Sequence, residues 1–193
     1  MSVSTGSRRI GPDQGRLLLR TFRDGLAASV GHDLLIELTR WSAELTANGD
    51  AAATSLTARL DLTSLAVREG TGGIKPLTER DRREIGFNAR KQLAVDQHPE
   101  AVFTSSSASP DKRGGGAVDG TLTLQGVSRP LRLTVMRLGD VRYRATAQVV
   151  QSAYGIKPYS AMLGTLKVRD AIEVEIEVDL AASAGATSAG AAA

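Results

Sequence analysis

Between residues 15 and 180, apolar and polar positions alternate with a period of two along most of the chain. Leu56, Ala58, Leu60 and Leu62 alternate with Thr57, Arg59 and Asp61. Val118, Gly120, Leu122 and Leu124 alternate with Asp119, Thr121 and Thr123. Leu131, Leu133 and Val135 flank Arg132 and Thr134, and Val141, Tyr143, Ala145, Ala147 and Val149 flank Arg142, Arg144, Thr146 and Gln148. The clearest run sets Ile172, Val174, Ile176, Val178 and Leu180 against Glu173, Glu175, Glu177 and Asp179. Successive strand side chains point to opposite faces, so each run predicts a strand with one buried and one wet face. Residues 15–22 supply a first strand, and residues 101–107 another with Phe103 as its anchor. Spacers at 48–50 (Asn-Gly-Asp), 114–116 (Gly-Gly-Gly) and 139–140 (Gly-Asp) suit antiparallel connections. Over 33–46 the phase flips near Thr39-Arg40; a bulge there would keep Leu34, Ile36 and Leu38 on the same buried face as Trp41, Ala43 and Leu45.

One segment has a different period. Thr78 and Asp81 resemble a capping box with Asp in the Glu position, and Ile85, Ala89 and Leu93 then recur every four residues. This predicts a helix over about 78–94, ended before His98-Pro99. Eight or more strands with one apolar face must bury it. A closed antiparallel β-barrel does so and removes the edges, so the expected fold is mainly all-β with one substantial helix between strands. The inward positions Ala58, Gly120, Ala145 and Ala147 are small, which suits either an elongated ligand cavity or a tightly filled interior. Residues 1–14 and 181–193 read as flexible tails around a single 15–180 domain, the last being an Ala/Gly/Ser run.

Composition narrows the function. The 193 residues are 41% hydrophobic and 23% charged, ordinary for a globular chain, and 4% aromatic. Cysteine is absent, which excludes disulfides and thiolate chemistry. A net charge of +3 does not demand nucleic acid. No apolar run reaches the ~20 residues of a membrane-spanning helix. The first 15 residues carry no apolar signal core, which points to the cytoplasm.

Candidate chemistry is sparse. The two histidines, His32 and His98, lie far apart in sequence and lack metal-site spacing. His32 reads first as a junction residue bonding nearby backbone, with Asp33 capping the turn, and second as a polar group at a pocket rim. Glu173, Glu175 and Glu177 fall on the polar face of a strand, where solvation explains them better than acid–base catalysis. The Gly70–Lys75 stretch has the wrong lysine spacing for a phosphate loop. Residues 68–91 carry seven bases against four acids. A solvated helix with internal ion pairs is favoured there over an anion-binding patch. Tyr154 and Tyr159 edge a loop, where they read equally as loop packing around Gly155 or as amphipathic rings at a barrel mouth. The stretch 120–135 reads as a hairpin, with Leu122, Leu124, Leu131 and Leu133 inward and Gly126 permitting the turn. Pro130 opens the returning strand, and Arg129 bonds loop carbonyls or sits in solvent.

Four segments together resemble the YceI-like family: SVGHDLLIE at 29–37, QHPEAVFTS at 97–105, GTLTLQGVSRPLR at 120–132, and YGIKPYSAMLGTLK at 154–167 with Asp170. The resemblance implies an elongated lipocalin-like barrel holding a polyprenyl or quinone-type lipid, with no cofactor or metal and no catalytic constellation. Many members are exported, and many carry Arg and Asp where this chain has Gln151 and Ala153. The expected function is therefore non-enzymatic binding, storage or transport of an amphipathic isoprenoid lipid. The cavity lining is expected from Leu34, Ile36, Leu56, Leu60, Phe103, Leu122, Leu124, Leu131, Leu133, Tyr143, Tyr154, Tyr159, Val174 and Ile176. Expected partners are such a lipid, weak contact with a membrane surface and a second copy in a homodimer, with no nucleic acid. Two alternatives stand beside it: a stress-linked scaffold using Arg82 and Arg83 on the helix, and an enzyme on an apolar substrate assisted by His32 or Tyr154.

Overall fold

The computed structural model describes residues 6–47 and 54–182. The strands are β1 (Gly6–Ile10), β2 (Gly15–Thr21), β3 (Arg23–Asp24), β4 (His32–Leu38), β5 (Trp41–Ala47), β6 (Ser55–Asp61) and β7 (Leu65–Gly72). After helix α1 (Glu79–Gln92) come β8 (Glu100–Pro110), β9 (Gly116–Leu124), β10 (Val127–Arg137), β11 (Arg142–Val150), β12 (Ser160–Ala161), β13 (Leu166–Val168) and β14 (Ala171–Asp179). Eleven strands form one antiparallel sheet in the order β1-β5-β6-β8-β9-β10-β11-β14-β2-β4-β7. The sheet curls so that its apolar face turns inward, giving the mainly β architecture with one helix that the alternation predicts; it forms a half-barrel with β1 and β7 as its end strands, where a closed barrel without edges was expected.

The curl depends on one corner. β4 pairs with β7 and β5 pairs with β6, so 32–47 and 55–72 form a long two-stranded ribbon bent at its middle. One half of the ribbon joins the sheet beside β2, the other beside β1 and β8. The phase change at Thr39–Arg40 is therefore a corner between two strands, not the bulge expected from the sequence. Its backbone is satisfied by the facing turn at Leu62–Ser64: the Arg40 amide donates to Ser64 Oγ at 3.0 Å, and the Asp61 amide donates to the Arg40 carbonyl at 3.1 Å. Ile36, Leu38, Trp41 and Ala43 are all buried across the break. The register shift in this ribbon lies instead between Leu35 and Ile36, against β7.

The expected N-terminal tail is also corrected. Residues 6–10 form β1, paired with β5 from Gly6↔Ala47 to Ile10↔Ala43, and Ile10 is buried. Only one side chain of this edge strand enters the core, so its sequence shows no alternation. Leu180–Ala182 make one 3-10 turn, and the rest of the C-terminal tail, like the 48–50 turn, lies outside the described residues.

Helix α1 begins as its sequence requires. Thr78 accepts from the Asp81 amide at 3.2 Å, and the Asp81 carboxylate accepts from the Thr78 amide at 2.8 Å. Ala89 and Leu93 pack against the core, and Arg90 donates to the Leu65 carbonyl, fixing the helix on β7. The β9–β10 connection is tighter than a returning strand opened by Pro130 would make it: Val127 already pairs with Leu124, leaving only Gln125 and Gly126 (φ 50° and 75°) as the turn. Both central residues are left-handed, as the hairpin turn that matches strand twist demands. Pro130 thus sits inside β10, opposite Thr121, and not at its opening; β10 pairs with β11 only over Thr134–Arg137, so the missing N–H of Pro130 costs no bond to β11. Arg129 donates to the carbonyls of Ala153 and Ser128.

The wet face is a set of cross-strand ion pairs. Arg132 grips Asp119 opposite it at 2.7 and 2.8 Å, and Arg144 pairs with Glu177 opposite it and with Glu175 at 3.8 Å. Arg16 and Arg68 share Glu37.

Candidate ligand cavity

The inward faces do not meet at the centre. They enclose a cavity of about 770 Å³, within the ~300–1,000 Å³ range of ligand sites. β14 lines it from Ile172 to Val178, roughly 20 Å of strand at ~3.3 Å per residue, and Leu180 of the following turn extends the wall. The long shape follows from the alternation: Ile172, Val174, Ile176 and Val178 present one apolar row while their charged neighbours face outward.

Of the residues expected to line a cavity, Leu34, Ile36, Leu56, Leu60, Phe103, Leu122, Leu124, Leu131, Leu133, Tyr143, Tyr159, Val174 and Ile176 do so. Tyr154 does not. It closes a 3-10 turn at Gln151–Tyr154, and its ring is turned into the core, only 3% exposed. Burial raises its phenol above the ordinary value, with Arg129 opposing the shift. A tyrosine beside a loop glycine reads as a mouth residue in sequence; the turn points it the other way.

Of the two roles open to small inward residues, Gly120 takes the filled one. A Cβ there would stand 2.5 Å from the Phe103 ring and 2.4 Å from the Thr104 carbonyl. The ring of Phe103 fills the room that Gly120 leaves. Ala58 and Ala145 do line the cavity.

Polar lining gathers at one end. Thr21 closes β2, His32 opens β4, Gln151 follows β11, and these strands meet in antiparallel register beside the start of β14. Arg23 of β3 and Lys167 of β13 join them through the small β12-β13-β3 sheet, which the sequence did not reveal. Asn88 and Gln92 reach the lining from α1. Thr21 was legible as the last inward position after Leu17 and Leu19. Arg23 and Lys167 had no signal, because a two-residue strand has no periodicity to read.

The side chains here are unequally committed. Arg23 donates to the carbonyls of Gly31 at 2.9 Å and Thr71 at 3.2 Å, and its own amide donates to Asp33 at 2.8 Å. Asp33 therefore anchors Arg23 instead of capping the neighbouring turn. His32 Nε2 lies 2.9 Å from the Lys75 carbonyl, tying β4 to the loop before α1, and its ring also lines the cavity. Both sequence readings of His32 thus describe one residue. His98 serves the backbone, its amide donating to the Ala94 carbonyl at 2.9 Å. Among the described residues, Thr21 alone holds a buried side-chain polar atom, its Oγ1, with no protein partner, and it lines the cavity.

The YceI-like domain family matches residues 25–180, most of the chain. The chain belongs to the YceI-like family. Its fold is also that of solved structures at low sequence identity. BcnA of Burkholderia cenocepacia superposes with a TM-score of 0.57 at 14% identity, covering 84% of this chain and 94% of that one. The Campylobacter jejuni YceI protein gives a TM-score of 0.55 at 15% identity, covering 75% and 82%. None of the curated proteins compared matches the chain. Among the described residues of this YceI-like barrel, no helix is long and apolar enough to cross a membrane.

Proposed function

We propose that this YceI-like barrel binds and carries an amphipathic lipid with a long apolar chain of polyprenyl or quinone type, without catalysing a reaction on it. The observation that carries the reading is the elongated 770 Å³ cavity, apolar along β14 and polar at the Thr21 end. Burying a hydrocarbon chain there gains roughly 25 cal/mol per Å² removed from water. The polar end suits one small headgroup. Thr21 Oγ1 can exchange a hydrogen bond with it, and Arg23 and Lys167 favour a headgroup rich in oxygen acceptors. Family membership supports the same lipid class.

The test is native mass spectrometry on protein purified from its own host, followed by solvent extraction. A stoichiometric isoprenoid lipid is the expected result. An empty barrel that also fails to take up dispersed polyprenyl alcohol or ubiquinone analogues would refute the reading.

A further inference from the structure

Three loops ring the polar end of the cavity: residues 24–31, 73–78 and 155–165. They are tied together. The Ala27 amide donates to the Thr165 carbonyl at 2.9 Å, His32 bonds the Lys75 carbonyl, and Gln92 donates to the Lys157 carbonyl. Lys75, Pro76 and Tyr159 face one another across a small cleft beside the mouth.

On these loops large aliphatic side chains stand in water. Leu26 is 96% exposed, Ile74 81%, and Leu163 completely; Met162 is more than half exposed. Met162 and Leu163 also hold φ of 50° and 54°, the left-handed region that disfavours such residues. Among the described residues, no other part of the barrel carries a completely exposed aliphatic. Four outward apolar tips on three loops of one rim do nothing for the folded barrel. The surrounding charge is positive. Segments 22–33, 73–84 and 155–170 carry Arg23, Lys75, Arg80, Arg82, Arg83, Lys157, Lys167 and Arg169 against Asp24, Asp33, Glu79, Asp81, Glu84 and Asp170, a small positive excess in which Arg23 is held by Asp33, Arg82 by Glu79, and Asp170 accepts from Ser152.

We propose that this rim docks on an anionic membrane surface. Leu26, Ile74, Met162 and Leu163 enter the boundary between headgroups and acyl chains, while Lys75, Lys157 and Lys167 meet lipid phosphates. A second copy of the chain is the poorer occupant, because a two-fold contact would set this positive rim against itself. The inference rests on the lipid-carrier reading for its purpose: a docked mouth passes lipid between bilayer and cavity without exposing the chain to water.

The test separates the two claims. Vesicles of phosphatidylcholine with phosphatidylglycerol are sedimented with the full chain and with the triple variant Leu26→Ser, Ile74→Ser, Leu163→Ser. None of these residues lines the cavity. The native chain is expected to bind, more weakly as salt rises. The triple variant should bind at least about tenfold more weakly, and Lys75→Glu with Lys157→Glu should lose the salt-sensitive part. The triple variant should still load lipid dispersed from ethanol, while its loading from vesicles slows. Vesicle binding that is absent, or equal in the native chain and the triple variant, overturns the docking proposal. So does a rim that proves to bury itself in a dimer by sedimentation velocity. Vesicle binding with no loading from either source would leave docking standing and remove the carrier reading.

Discussion

Gly120 and Thr21 show how much one inward position can decide. At Gly120 the missing Cβ is the seat of the Phe103 ring, with 2.5 Å between the two if a methyl were added. Gly120→Ala is expected to displace the ring and cost about 1–3 kcal/mol of stability, measured by denaturant unfolding. Thr21 poses the opposite problem. Its hydroxyl is buried without a protein partner, which costs stability in the empty barrel. Thr21→Val keeps the shape and removes that cost. The empty protein should gain about 1 kcal/mol, while affinity for a lipid with a polar head falls several-fold in a fluorescence titration. A loss of stability in Thr21→Val, or unchanged lipid affinity, would show that the hydroxyl does not wait for a ligand.

The helix and the β9–β10 hairpin are elements whose ends carry their own instructions. The capping box at Thr78 and Asp81 was readable because it needs only two residues at fixed spacing. Thr78→Ala should lower stability by about 1 kcal/mol, with the loss of the N-terminal turn visible in hydrogen exchange. The hairpin was readable in its inward leucines but not in its exact turn. Strand pairing runs through Val127–Arg129 because cross-strand partners in β9 claim them, and sequence alone does not reveal that claim. Arg129 bonds the Ala153 carbonyl from this hairpin, holding the turn that buries Tyr154. Arg129→Ala is expected to lower the thermal midpoint by a few degrees and leave lipid affinity unchanged; the reverse pattern would make Arg129 a ligand residue.

Across the whole molecule, the outer ion pairs set the response to acid. Burial alone would raise the Glu37 carboxyl, but hydrogen bonds and charge from Arg16 and Arg68 outweigh it and hold it below the ordinary value. Asp61 and Asp119 are lowered too, by bonds to Thr63 and Arg132 first among their causes. A group lowered on folding stabilises the protein above its unfolded pKa, and that contribution disappears as pH falls through the folded value. Stability should therefore be level near neutrality and fall below about pH 4–5. Glu37→Gln should cost about 1 kcal/mol at pH 7 and flatten the acid limb, both readable from unfolding curves across pH.

The alternation of apolar and charged residues was enough to determine most of the long strands, their inward faces and the one helix, because period and capping are local properties of the chain; β1, β7 (Leu65–Gly72) and the short strands of the second sheet were not read from it. It also identified most of the cavity wall, since Leu122, Leu133, Val174 and their neighbours must share a face wherever the sheet closes. Tertiary structure decided the rest. It turned the Thr39–Arg40 phase change into a corner, drew residues 6–10 into the sheet, folded Tyr154 away from the cavity and gathered Thr21, Arg23 and Lys167 at one end. Each of these depends on which distant backbone a residue meets, through pairings separated by tens to more than a hundred residues, and a period of two carries no record of its partner.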